Sequence, residues 1–185
     1  MNILRLISKL TQESERDLKN RFRRARSLVT GKECPKDYLD KSDIEITGRV
    51  YLITTWRVGK GEQDFSLILK RHNHKIRNII RLNWLQHGEQ ALTFAIQSNW
   101  SSFCSGDILA IVRGGGDTTD RQFHPFNNSD AARTLERLRS EKEVIIVTGI
   151  GHATDSFLVE QYTTFKQATP TDAAYKICDL LNVIE

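Results

Sequence analysis

Two kinds of hydrophobic spacing alternate along this chain. "ITGRVYLITT", Ile46 to Thr55, is β-branched and aromatic, which predicts a strand. "EQDFSLILKRHN" follows with Phe65, Ile68 and Leu69 at helical spacing and Lys70 and Arg71 facing outward. "IRNIIRL" predicts a second strand, and "GEQALTFAIQSNW" a helix bearing Ala91, Leu92, Ala95 and Ile96. "DILAIV" and "EVIIVTGIG" are almost wholly apolar, as expected of strands covered on both faces of a parallel sheet. "SDAARTLERLR" between them reads as a helix capped by Ser129. "ATDSFLVEQYTTF" and, after Pro170, "TDAAYKICDLL" read as two more helices. Ahead of all this, residues 2–29 lack Gly and Pro and place Ile3, Leu6, Ile7, Leu10, Leu18, Phe22, Ala25 and Leu28 at helical spacing. The turn-rich "TGKECPKDYLDKSD" joins that helix to the first strand.

Alternation of strand and helix predicts an α/β fold. The expected architecture is three-layered and Rossmann-like, a mostly parallel sheet flanked by helices, preceded by a basic N-terminal helix. We divide it as helix and connector over residues 1–42 and an α/β domain over residues 43–185. Sites in such sheets lie at the carboxyl ends of the strands.

Composition changes the picture in two places. At 39% hydrophobic and 27% charged residues the chain reads as an ordinary soluble globular protein, with no apolar run long enough to cross a membrane. "MNILRLISKL" is too short and too interrupted by charge for a signal peptide. Cys34, Cys104 and Cys178 fit neither a zinc site nor a disulfide framework, so reduced thiols and a cytoplasmic location are expected. The second place is charge. The net +4 comes from residues 1–30, where eight Lys/Arg face three acids, most densely in "RDLKNRFRRAR". Arg21, Arg23 and Arg24 of that stripe are candidate phosphate contacts, although a solvated helix face accounts for the same pattern.

Two strand ends carry unusual residues. "DILAIV" runs into Arg113-Gly114-Gly115-Gly116, and "EVIIVTG" into Gly151-His152-Ala153-Thr154-Asp155. Glycine turns serve phosphates, nucleotides or plain tight packing, and three glycines match neither the dinucleotide nor the P-loop spacing. An arginine at the end of a buried strand needs a partner, and with bare backbone N–H groups it suits a phosphoryl oxygen. His152 and Asp155 separately fit a backbone-tied histidine and a carboxylate opening a helix. Beside Arg113 they fit better as a general acid/base histidine oriented by a carboxylate.

"VRGGGDTTD" followed by "FN", then "GHATDSFLVEQYTTFKQATPTDAA", resembles the catalytic domain of the exonuclease VII large subunit. That family shows R-G-G-G-S-x-x-D, F-N, G-H-E-T-D and an A-P-T-P-S-A-A-like segment, and Gly151, His152, Thr154, Asp155, Thr169 and Pro170 fall in register with it. "YLITTWRVGKGEQDFSLILKRHN" and "LQHGEQA" are similar to its upstream part, so the likeness covers about residues 50–175; residues 13–42 resemble its connector helix. The resemblance implies a single-strand-specific DNA exonuclease with Asp64, Arg113, His152 and Asp155 as essential residues. It implies phosphate contacts at Gly114, Gly115, Gly116 and Thr154, and no obligatory cofactor. Mg²⁺ is compatible with Asp64 and Asp155, the two carboxylates that would hold it.

Departures from the family pattern limit what carries over. No match to its OB domain or its coiled-coil segment is expected within residues 1–185, and on that reading small-subunit binding is in doubt and a homo-oligomer or another partner protein stays open. Asp117 stands for the loop serine and Ala153 for a glutamate; two residues are inserted between Asp120 and Phe126. The turn before Asp64 is one residue longer and lacks the Thr-Gly pair. Trp56, Trp84 and Phe123 are candidate stacking surfaces for bases. The alternative function is a degenerate nucleic-acid- or nucleotide-binding module that works through a partner; a small-molecule nucleotide-binding enzyme is a third.

Overall fold

The computed structural model describes residues 46, 49–55, 59–72, 76–116, 119–151 and 155–182, all within the unit spanning Lys41–Glu185. The predicted N-terminal helix, with Arg21, Arg23 and Arg24, lies outside them, as do Cys34 and the division at residue 42.

Five strands, β1 (Val50–Thr55), β2 (Ile76–Leu82), β3 (Ile108–Arg113), β4 (Ile145–Ile150) and β5 (Phe165–Gln167), form one sheet in the order β2-β1-β3-β4-β5. Every pairing is parallel, so every strand ends on the same edge. The helices are α1 (Lys60–Arg71), α2 (Trp84–His87), α3 (Ala91–Ser98), α4 (Ser129–Lys142) and α5 (Pro170–Asn182). The sheet is the three-layer α/β architecture expected, and "DILAIV" is buried throughout.

Alternate residues of each strand face opposite layers. Tyr51, Ile53, Leu109, Ile111 and Ile146 pack with α3 and α4 on one face; Val50, Leu52, Ile108, Ala110 and Val147 pack with α1 and α5 on the other. Each fully buried Leu, Ile or Phe in these layers contributes about 1.5–3 kcal/mol. The strand order reverses between β1 and β3, the topological switch point at which sheets of this order leave a crevice.

Three expectations need correction. The cap of α4 is Asn128, whose side chain accepts from the N–H groups of Asp130 and Ala131; Ser129 is already helical. Asn and Ser cap about equally well, so residue type alone could not decide between neighbours. The helix read into "GEQALTFAIQSNW" is confined to Ala91–Ser98, with 3-10 turns at Gly88–Gln90 and Trp100–Ser102. The helix read into "ATDSFLVEQYTTF" is a single 3-10 turn, Leu158–Tyr162, followed by β5. Asp155 therefore does not open a helix, and no helix dipole acts on it. A three-residue edge strand with half-exposed side chains leaves no periodic trace to read.

Among the described residues no helix is long and apolar enough to cross a membrane. Cys178 is buried, Cys104 exposed, and both are free thiols.

Candidate active site

Arg113 is the last residue of β3 and projects at the switch-point edge. Its Nη1 donates to the carbonyls of Gly114 and Gly115, at 2.6 and 3.1 Å. Its guanidinium lies over the Phe123 ring, 4.8 Å from the centroid. Nε is buried and has no hydrogen-bond partner among the described residues. Burial pulls the group below the ordinary arginine value, and the nearby charge of Asp120 opposes that pull. No described carboxylate hydrogen-bonds to it. A cation so desolvated, held by neutral carbonyls and a ring face, retains donors for an anion.

The glycines beside it have specific neighbours. A Cβ on Gly61, in the first turn of α1, would come within 2.8 Å of Gly114 N and Pro170 Cγ, so the loop backbone and the Pro170 ring at the start of α5 both press on α1 here. The bareness of Gly114 thus serves the protein's own packing as well as a ligand. Gly115 and Gly116 are exposed. Pro170 stands first in α5 behind Thr169, whose Oγ1 accepts from Asp172 N, an N-cap that fixes this corner.

Gly151 N donates to Arg113 O at 3.0 Å, joining the ends of β3 and β4. Its φ of 75° favours glycine, and any Cβ there would collide with the Asp155 carboxylate. Asp155 is thereby set one residue away from the Arg113 peptide. His152 and Thr154 lie outside the described residues, as does Asp117.

Asp64 is exposed on α1, one turn beyond Gly61. Side chains three apart share a helix face and lean toward its N-terminus, here the end at the glycine loop. The buried carboxylate of α1 is Glu62, which accepts from Arg81 Nη1 and Nη2 at 2.7 and 2.9 Å and ties α1 to the end of β2. Sequence spacing gave no sign of this pair, because Glu62 and Arg81 sit on different elements.

A second support went unread for the same reason. Phe123 stacks on Phe157 at 5.3 Å, and Phe126 meets both edge-on. Asn127 Oδ1 accepts from Leu158 N at 3.1 Å. The Phe126-Asn127 pair therefore welds the loop after β3 to the loop after β4. Phe123 is fully buried, so it cannot stack on a base; its partner is Arg113. Trp56 and the Trp84 side chain lie outside the described set. Behind Asp155, the buried Glu160 accepts from Phe157 N at 3.0 Å and from Lys166 Nζ at 2.8 Å. Lys166 Nζ also donates to Asp155 O at 3.1 Å, and so holds the Asp155 segment against β5.

Among the described residues no group of three or more His, Cys, Asp or Glu side chains gathers to hold a metal ion. Asp64, on α1, and Asp155, in the segment after β4, are the two carboxylates that would hold one.

Comparison with known proteins agrees with this edge of the sheet. The family described as "Exonuclease VII, large subunit" matches residues 40–184. The exodeoxyribonuclease 7 large subunit of Thermotoga maritima is 39% identical over 80 residues, 43% of this chain and 19% of that protein. That of Streptomyces griseus is 35% identical over 71 residues, 38% of this chain and 16% of the relative. That of Vibrio cholerae is 29% identical over 125 residues, 66% and 26% of the two. The chain thus spans 16 to 26% of the length of these relatives. A crystal structure from Listeria monocytogenes covers 76% of this chain and 68% of its own at 12% identity and a TM-score of 0.37, too slight a likeness to bear on function. The match over residues 40–184 takes in the glycine loop, the Phe126-Asn127 weld and Asp155, and the chain belongs to the exonuclease VII large-subunit family.

Proposed function

We propose that this domain hydrolyses phosphodiester bonds of single-stranded DNA, acting from strand ends. The observation that carries the reading is Arg113: a desolvated cation at the switch point, held by carbonyls and a ring and hydrogen-bonded to no described carboxylate. Family membership supplies the reaction class.

In this reading Arg113 and the N–H groups of Gly115 and Gly116 hold the transferring phosphoryl group and offset its developing charge. His152 takes the proton of the attacking water and later returns one to the leaving oxygen, with Asp155 orienting the imidazole. Asp64, one turn behind the glycine contact, is the second carboxylate. If Mg²⁺ takes part, Asp64 and Asp155 are its ligands, and it would add charge compensation at the phosphate. The basic stripe with Arg21, Arg23 and Arg24 would grip the strand beyond the site. The protein would work in the cytoplasm, alone, as a homo-oligomer or with a partner protein.

The test compares the parent protein, His152→Ala and Arg113→Ala on end-labelled single- and double-stranded oligonucleotides, with EDTA and with Mg²⁺ or Mn²⁺. Release of short products from single strands by the parent alone is expected. Salt-sensitive binding of single strands without cleavage under any condition would replace the hydrolase by a binding module.

A further inference from the structure

Beside Arg113 the same edge of the sheet holds an open groove of about 800 Å³. Its walls are the segment after β2, with Leu85 and Glu89, and the segment after β3, with Asp120, Arg121, Gln122 and His124. β2 and β3 flank β1, and the segments that follow them meet across this groove at the carboxyl edge of the sheet. The 3-10 turn Arg121–Asn127 serves both places. Phe123 points inward beneath Arg113, and its neighbours Gln122 and His124 face the groove. Asp120 joins them, lining the groove while its charge reaches Arg113.

The lining has a definite hydrogen-bonding character. Gln122 Nε2 donates to Asp120 Oδ2 at 2.6 Å, which turns the amide oxygen outward as an acceptor. His124 Nδ1 lies 3.5 Å from Glu89 Oε1 on the facing wall. Two carboxylates and an amide oxygen against one arginine disfavour a second phosphate but suit the N–H donors of a base. At the lip stands Leu85, 94% exposed, an apolar side chain that the flat face of a base would cover. The volume is within the roughly 300–1,000 Å³ of small-ligand sites.

We infer that this groove is a nucleobase subsite, which holds the base adjoining a phosphoryl group bound at Arg113 and prefers bases with an exocyclic amino group. The inference rests on the proposed phosphoryl site, but not on hydrolysis.

Calorimetric titration of the full chain with dAMP, dCMP, dTMP and 2-deoxyribose 5-phosphate tests it. One additional hydrogen bond predicts that dAMP and dCMP bind about five- to tenfold more tightly than dTMP, with the base-free phosphate weakest. Gln122→Ala should erase the preference for amino-bearing bases. Leu85→Ser should bring all three nucleotides toward the base-free ligand, and affinity for 2-deoxyribose 5-phosphate should stay within about twofold in both variants. Both residues lie at the surface, and an unchanged melting temperature verifies the fold. Equal affinity for all four ligands, no binding of any, or an equal loss for the base-free ligand in the variants overturns the subsite. Base-dependent binding without cleavage would sink the proposed hydrolase and leave the subsite standing. Cleavage without base dependence would do the reverse.

Discussion

An arginine stands at each edge of the sheet beside β3, Arg49 just ahead of β1 and Arg113 at the end of β3, and the two are treated differently. At the amino edge Arg49 donates from Nε and Nη2 to both oxygens of the fully buried Asp107, at 2.7 and 2.8 Å, and Cys104 N donates to the same carboxylate. Contacts with Cys104 and Asp107 hold Arg49 above the ordinary arginine value. At the carboxyl edge Arg113 has two carbonyls, a ring face and a buried Nε with no hydrogen-bond partner among the described residues, and its value is pulled down. One arginine is fully answered by a carboxylate and belongs to the fold. The other is held in place and left with donors to give. The contrast sets a charge answered within the fold against one that the proposed function puts to use.

The comparison breaks most visibly at Asp107. Asp107→Ala leaves the part-exposed Arg49 guanidinium and Cys104 N without their carboxylate and should cost about 1.5–3 kcal/mol in chemical denaturation; a loss under about 1 kcal/mol would make the two arginines equivalent. Arg113→Met should do the opposite. Stability should stay within about 1 kcal/mol or rise, because an apolar group replaces a desolvated cation. Phosphodiester cleavage should fall roughly 10²–10³-fold or more in single-turnover assays. A large loss of melting temperature would show Arg113 to be structural after all.

Smaller effects sharpen the picture behind the site. Gly61→Ala forces a methyl group into Gly114 and Pro170 and should destabilise by about 1–3 kcal/mol, reversing the gain of about 1 kcal/mol that alanine usually brings to a helix. Gly59→Ala meets nothing within 4 Å and should stay within about 0.5 kcal/mol. Lys166→Met removes the cation of buried Glu160 and the donor to Asp155 O, for about 1–3 kcal/mol of stability. Its signature beyond stability is a fall of roughly tenfold or more in kcat with KM nearly unchanged, restored by Lys166→Arg. Least of all, a thiol reagent at neutral pH should modify exposed Cys104 and spare Cys178, whose thiol burial pushes up and keeps protonated; peptide mapping reads the two sites apart.

How much of this was legible in advance follows from what each residue does locally. "DILAIV" and "EVIIVTGIG" announced themselves because strands covered on both faces tolerate almost no polar residue. Arg113 and its glycines were legible because a charge at the end of such a run stands out. β5 and the turn before it were not, since three half-exposed residues carry no period. Glu160 stands within a stretch whose spacing reads as a helix, whereas the 3-10 turn buries it against Lys166. Phe123 read as a surface for bases and proved to be the support beneath Arg113. Pairs such as Glu62–Arg81 and Asn127–Leu158 join distant parts of the chain, and no spacing rule reaches across them.

The weld between the loops after β3 and β4 has one more consequence. Phe123, Phe126 and Phe157 share a single cluster, and Asn127 bridges to Leu158, so neither loop can open while the other stays shut. Such a joint melts as one cooperative unit, with amide hydrogens on both loops exchanging at a common free energy. For a mutational history it means that two stretches some thirty residues apart behave as a single heritable part: damage to either is felt by both, and repair in one can rescue the other.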